Sequence, residues 1–202
     1  MRVVLHLRPA DARVTPWKNG KGVTRELAIW PRGSAFERGD FDARVSRATL
    51  AESGPFSSFA GFERVLVITS GDGLVLDHGK AAHRARLRRL DPYRFSGDWP
   101  TQAELSGEPV TDFNVFTRRG KLEAVVQALR LGARSLREPL EARFAFVHVL
   151  AGTAVARVTA EETAIELVAG DSLRIDDSTG GDELDLGSRS DATELIVVRI
   201  CG

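Results

Sequence analysis

Thr15-Pro16-Trp17-Lys18-Asn19-Gly20-Lys21-Gly22-Val23-Thr24-Arg25-Glu26 packs two lysines, an arginine, a glutamate, an asparagine and a tryptophan into one short stretch. Gly20, Gly22 and Pro16 oppose a helix, because glycine is costly there and proline fixes φ. The stretch therefore reads as a loop that feeds a strand from Val23. A glycine-rich loop brings backbone N–H groups close to a ligand, and Lys, Asn and Arg supply donors for a carboxylate or phosphate. The same composition also suits a solvated surface turn with Trp17 as its apolar anchor. Further along the chain, Arg44 and Arg64 add to the charge of Lys18 and Arg25. Ser46 and Asn114 add oriented hydrogen bonds to those of Asn19 and Thr24. Phe56, Phe59 and Phe113 offer apolar walls, and Glu26 is placed to hold an arginine or to accept from a ligand amine. These residue types suit the holding of a small anion, and a polar strand face such as Arg44 and Ser46 faces either the mouth of a barrel or, as antiparallel sheets more commonly do, solvent.

Other chemistries fit poorly. A metal-binding small barrel needs closely spaced histidines, and no two of His6, His78, His83 and His148 are separated by a single residue. His78 and His83 flank a hairpin tip and are expected to be exposed, while His148 lies in an apolar strand as a core histidine. No metal and no cofactor are expected. Gly54-Pro55-Phe56-Ser57-Ser58-Phe59 lacks the spacing of a nucleophile elbow, and Cys201 is alone. Gly20-Lys21-Gly22-Val23-Thr24 departs from a phosphate loop, in which lysine follows the second glycine. No catalytic residue is assigned. Lysine and arginine total 28 against 28 acidic residues, so the basic excess of a nucleic-acid binder is missing. Arg84, Arg86 and Arg88 alternate with Ala85 and Leu87, as on the wet face of an edge strand.

The elements that must position these residues are mostly strands. Phe41, Ala43 and Val45 alternate with Asp42, Arg44 and Ser46. Arg64-Val65-Leu66-Val67-Ile68-Thr69 is a β-branched run that ends at a glycine turn, and 194–200 is a buried strand. Leu122–Leu129 suits helix or strand. A repeat is also present: Val65–Gly71 parallels Phe146–Gly152, Leu74–Leu76 parallels Ala154–Ala156, and Leu90–Phe95 parallels Val168–Ile175. The expected fold is mainly β, a bicupin of two small antiparallel jelly-roll barrels packed together, with boundaries at 1–120 and 121–202. The 202 residues, 43% of them hydrophobic, are enough for such cores. Nothing approaches the roughly 18 apolar residues of a membrane helix. The start of the chain is broken by charge too early for a signal peptide, and the single cysteine suits a reducing compartment. A cytoplasmic location is expected.

Pro16-Trp17-Lys18-Asn19-Gly20, with Gly22 and Thr24-Arg25-Glu26 after it, resembles the signature of the HutD/Ves family. Three further blocks are similar to that family and occur in its order. They are Phe41-Asp42 with Arg44, Ser46 and Ala48; Gly54-Pro55-Phe56-Ser57 with Phe59, Gly61 and Arg64; and Asp112-Phe113-Asn114-Val115 with Arg118-Arg119. The resemblance spans 16–119, about half of the chain. It implies a metal-free bicupin associated with histidine utilisation, whose N-terminal barrel carries a ligand pocket lined by these blocks. The implied ligand is a small anionic metabolite, a carboxylate such as formylglutamate or urocanate, and the implied role is regulatory. Lys21, Ala43, Ala60 and Phe116 depart from the family pattern, at positions of glycine, tryptophan, proline and methionine.

The expected site is Trp17, Lys18, Asn19, Thr24, Arg25, Glu26, Arg44, Ser46, Phe56, Arg64, Phe113 and Asn114. The expected partner is that metabolite, with neither nucleic acid nor membrane, in a monomer or loose homodimer. One rival reading is a metal-free isomerase, lyase or hydrolase that uses Glu26 as a general base beside Lys18. Another is a structural protein that binds a macromolecular partner.

Overall fold

A computed structural model of the chain describes residues 3–17, 22–132, 135–159, 163–178 and 181–202. Regular structure there consists of strands and two 3-10 turns, Pro9–Asp11 and Phe36–Arg38. In chain order the strands are β1 (Val3–Leu7), β2 (Arg13–Pro16), β3 (Gly22–Trp30), β4 (Ala43–Leu50), β5 (Gly54–Phe56), β6 (Phe62–Ser70), β7 (Leu74–Asp77), β8 (Ala85–Leu87), β9 (Tyr93–Ser96) and β10 (Thr101–Leu105). They continue with β11 (Val110–Arg118), β12 (Glu123–Leu131), β13 (Leu136–Pro139), β14 (Phe144–Ala151), β15 (Thr153–Val158), β16 (Ile165–Val168), β17 (Ser172–Asp176), β18 (Glu183–Ser188) and β19 (Thr193–Cys201). The ambiguous stretch after Leu122 is thus a strand, because an open edge beside β19 accepts it and pairing outweighs the helix preference of Glu, Ala and Gln.

The chain divides into two compact units, residues 12–123 and residues 1–11 with 124–202. The first holds a six-stranded sheet, β2-β3-β4-β11-β6-β9, and a four-stranded sheet, β5-β10-β7-β8. The second holds β1-β17-β14-β19-β12 and β13-β18-β15-β16. Element by element, β4-β11-β6-β9 corresponds to β12-β19-β14-β17, and β5-β10-β7-β8 to β13-β18-β15-β16. The sequence repeats lie on equivalent strands: β6 with β14, β7 with β15, β9 with β17. One expectation needs correction. The division at 1–120 and 121–202 assigned the N-terminal strand to the first barrel, yet β1 pairs antiparallel with β17, Val3 opposite Asp176 and Leu7 opposite Ser172. Alternation shows that a strand exists but not which edge it will join.

Each unit buries an apolar layer between its two sheets. In the second unit this layer is aliphatic and continuous, with Ala145, Val147, Val149, Leu173, Ile175, Leu195 and Val197 from one sheet meeting Ala154, Ala156, Leu167, Leu184 and Leu186 from the other. In the first unit the apolar side chains split into two groups. One gathers Leu50, Leu66, Ile68, Leu74, Leu76 and Phe95. The other gathers Phe41, Phe62 and Phe116, with Ile29, Phe36 and Phe59 against them. Polar side chains occupy the space bordered by both groups.

His78 is not exposed, contrary to expectation. Its ring is buried, with Nδ1 2.9 Å from Thr101 Oγ1 and Nε2 3.1 Å from the Tyr93 hydroxyl, among Tyr93, Phe95 and Trp99. Both ring nitrogens are satisfied there, so burial costs little. His148 is a core histidine, its Nδ1 2.8 Å from Ser172 Oγ. Arg84, on the flank of edge strand β8, pairs with Glu104.

Candidate ligand-binding site

A cavity of about 480 Å³ opens in the first unit, within the range of small-molecule sites. The register of the six-stranded sheet builds its floor as rows of side chains on one face. In one row Arg13 lies opposite Glu26, Glu26 opposite Ser46, and Ser46 opposite Asn114. The next row runs Thr15, Thr24, Ala48, Asp112. A third brings Arg44 to Phe116 and Phe116 to Arg64. All of these line the cavity, with Phe36 and Glu37 from the 3-10 turn and Phe56 and Phe59 from the segment around β5. A bulge between Glu26 and Ala28 resets the pairing of β3. It ends the polar row at Glu26 and lets Ile29 lie opposite Arg44, in the apolar group.

Trp17 closes one side. Its indole Nε1–H donates to Thr24 Oγ1 at 2.8 Å, and its backbone N–H donates to Gly22 O at 2.9 Å. The ring lies so close over β3 that a Cβ on Gly22 would sit 2.8 Å from it and 2.6 Å from Thr49 O. Glycine at 22 is therefore a requirement of close approach.

The charges are arranged unequally. Arg44 Nε donates to Glu26 Oε2 at 2.7 Å, and its guanidinium stacks 4.1 Å from the Phe36 ring centroid. Burial presses the Arg44 guanidinium below its usual value, and Glu26 counters. At the mouth, Arg13 donates to both carboxylate oxygens of Glu37 at 3.2 and 2.9 Å. Arg64 has no such partner among the described residues. It is 5% exposed, and its guanidinium carbon lies 4.6–5.6 Å from the ring centroids of Phe56, Phe59, Phe95 and Phe116. Nη2 donates to Asn114 Oδ1 at 3.0 Å, while Nε has no acceptor. Burial, with Arg44 adding to it, pulls the Arg64 guanidinium down to about 10 against the attraction of Asp112.

Asn114 bridges Arg64 to Asp112. A guanidinium only donates, so the amide oxygen must face Arg64, and its NH₂ group then donates to Asp112 Oδ1 at 2.6 Å. The Ala48 N–H also reaches Oδ1, at 3.3 Å. Burial pushes the Asp112 carboxyl up to about 7, outweighing the Arg64 charge and these hydrogen bonds. A cation short of acceptors, a carboxyl at the edge of titration and aromatic walls together make a site for a small charged ligand.

Of the expected residues, Trp17, Thr24, Glu26, Arg44, Ser46, Phe56, Arg64 and Asn114 line this cavity. Arg25 and Phe113 do not. Arg25 is exposed and lies opposite Arg47, and Phe113 is fully buried on the other face. A strand turns successive side chains to opposite faces, so neither can share the cavity with Thr24 and Glu26 or with Asn114. Lys18, Asn19 and Lys21 lie outside the described residues. Of the other departures from the family pattern, Phe116 lines the cavity, whereas Ala43 and Ala60 do not. Arg13, Phe36 and Glu37 were not foreseen, and Asp112, although part of a block of the family resemblance, was not among the expected site residues. Asp112 was within reach of the alternation rule, two residues before Asn114. Arg13 needed the hairpin register, and Phe36 and Glu37 follow a loop with no local signal.

The second unit lacks this chemistry at equivalent positions. Aligning β6 with β14 by the repeat, and β11 with β19 by their pairing, sets Ala145, Leu195 and Val197 where Arg64, Asp112 and Asn114 stand. All three belong to the aliphatic layer. Among the described residues no group of three or more His, Cys, Asp or Glu side chains could hold a metal ion. No helix there is long and apolar enough to cross a membrane.

Comparison with known proteins places the chain among relatives. The HutD family model matches residues 9–193. Protein Ves of Citrobacter koseri is 38% identical over 121 residues, 58% of this chain and 61% of the relative, so the match spans less than two thirds of that protein. Among solved structures, a conserved protein of unknown function from Pseudomonas aeruginosa PAO1 superposes with a TM-score of 0.89 at 27% identity, covering 99% of this chain and 100% of that one. HutD from Pseudomonas fluorescens SBW25, in a formate condition, gives 0.80 at 28% identity and 98% of each chain. Bacillus subtilis oxalate decarboxylase, at 8% identity and a TM-score of 0.69 over 96% of this chain and 76% of that one, is similar in fold alone. The architecture is that of the cupins.

Proposed function

The chain belongs to the HutD family, and on that premise we propose that the first unit binds a small anionic metabolite, with Arg64 as its principal anchor. The observation that carries this reading is the state of Arg64: buried, ringed by four phenylalanines, lining an open cavity and without a carboxylate partner among the described residues. A buried cation without a counter-charge is costly, and an incoming carboxylate supplies one. Glu26 holds Arg44 rather than standing free, which supports binding over general-base chemistry at that position. The second unit, filled with aliphatic side chains where the first has charges, contributes stability. The family's name points to histidine utilisation, and the structure of the Pseudomonas fluorescens relative in a formate condition fits a carboxylate-sized anion. The ligand class is then that of carboxylates from histidine breakdown: urocanate, formiminoglutamate and formylglutamate. The role is metabolite sensing in regulation of that route.

A thermal-shift screen of these compounds with histidine tests the reading. A ligand at 100 times its dissociation constant adds about 2.7 kcal/mol, which at 2–4 °C per kcal/mol for a chain of this size is roughly 5–10 °C. No shift with any of them at millimolar concentration, in folded protein, would overturn it.

A further inference from the structure

Asp112 is the buried group that an anion site does not account for. A carboxylate beside an anion pocket repels the ligand, and an apolar or amide side chain would pack there without that penalty. Yet Asp112 is 1% exposed, borders the cavity and lies on the same strand face as Asn114. Both hydrogen bonds it accepts, from Asn114 Nδ2 and from the Ala48 N–H, fall on Oδ1. Oδ2 has no partner among the described residues, and it is not one of the buried atoms closed off without one. The cavity is thus lined by two groups of opposite kind that are short of partners: the Arg64 guanidinium, which can only donate and whose buried Nε has no acceptor, and Asp112 Oδ2, which as a carboxylate oxygen only accepts. Asn114 fixes the distance between the two side chains by bonding to both.

We propose that Asp112 is a specificity-determining residue, and that the ligand carries an N–H or O–H donor for Asp112 Oδ2 in addition to the anionic group taken by Arg64. This rests on the anion-binding reading above and narrows it. The ligand class is carboxylates with an internal donor, and plain mono- or dicarboxylates are excluded from tight binding. The penalty of a buried carboxyl is then the cost of discrimination, since a ligand without the donor leaves Oδ2 desolvated and unpaired. That burial pushes this carboxyl up to about 7 accords with an acceptor kept short of partners until a ligand arrives.

Two matched ligand pairs test the proposal by calorimetry, at about pH 8.5 so that the carboxyl is ionised. One pair is N-formylglutamate and its ester isostere 2-(formyloxy)glutarate, in which oxygen replaces the N–H. The other is urocanate and 3-(furan-3-yl)acrylate, in which furan replaces the imidazole. In the unaltered protein the N–H member of a binding pair is expected to bind about tenfold to a hundredfold more tightly. In Asp112→Asn the oxygen keeps its bonds from Asn114 and Ala48, and the new NH₂ faces the cavity as a donor. The preference is therefore expected to reverse in favour of the ester or furan. Equal binding of both members to the unaltered protein, or an unreversed preference in folded Asp112→Asn, overturns the proposal and leaves the anion reading standing. Failure of all four compounds to bind removes the anion reading and this inference with it. The comparison on the unaltered protein decides the matter even where the variant does not fold.

Discussion

Replacing Arg64 with methionine separates a residue kept for a ligand from one kept for the fold. Burial pulls the guanidinium down to about 10, and at ~1.4 kcal/mol per pH unit this holds roughly 3 kcal/mol against the charged form. Arg64→Met relieves that cost and keeps most of the apolar stem among Phe56, Phe59, Phe95 and Phe116. The losses are one charge-assisted hydrogen bond to Asn114, about 1.5–3 kcal/mol, and the aromatic contacts, about 0.5–2 kcal/mol. Gain and loss nearly cancel, so urea denaturation should show a change within about 2 kcal/mol. Ligand affinity should fall far more: loss of one partner of a desolvated charged contact costs about 2–5 kcal/mol, at least about 30-fold. A variant destabilised by 4 kcal/mol or more with its ligand affinity intact would make Arg64 a structural residue and not a ligand anchor.

Glu26→Ala should behave in the opposite way. It leaves Arg44 buried and unpaired, the side chains of the pair being 9% and 13% exposed, and costs about 3 kcal/mol or more in urea denaturation. Asp112→Asn should remove a pH dependence. The folded carboxyl titrates near 7 and the unfolded one near 3.8, so between those values the folded state holds the extra proton. Stability then declines as pH rises across that window and levels off above it. In Asp112→Asn that decline, up to about 4 kcal/mol, is expected to vanish, and a series of melts from pH 4 to 8 with an unchanged slope would count against it. Gly22→Ala should displace the Trp17 ring, which a Cβ would approach to 2.8 Å. A lower melting temperature with a red-shifted indole emission is expected, and identical spectra would show that the ring does not pack as described.

Much of this was legible in the residues. Alternation at Phe41–Ser46 correctly set Arg44 and Ser46 on one face, and the internal repeat located equivalent strands of the two units. The same rule, applied throughout, would have removed Arg25 and Phe113 and added Asp112, because residues one apart on a strand cannot share a cavity. Other features were not encoded locally. Arg64 sits in a β-branched run that reads as core, and its missing counter-charge shows only once Asn114, Asp112 and four phenylalanines are brought around it. Phe36 and Glu37 reach the mouth through a turn that no periodicity marks. His78 was misplaced because Thr101 and Tyr93, which satisfy its ring, lie 23 and 15 residues away. The N-terminal strand pairs with β17 across the length of the chain, a choice of edge that burial and register make and composition does not.

Whether Arg64 anchors a small anion is decided by isothermal titration of the unaltered protein and of Arg64→Met with formylglutamate, formiminoglutamate, urocanate and histidine. A saturable one-to-one heat is expected for at least one carboxylate in the unaltered protein, with loss of that heat in a folded Arg64→Met. Saturable binding of the same compound to both proteins with equal affinity would contradict that role.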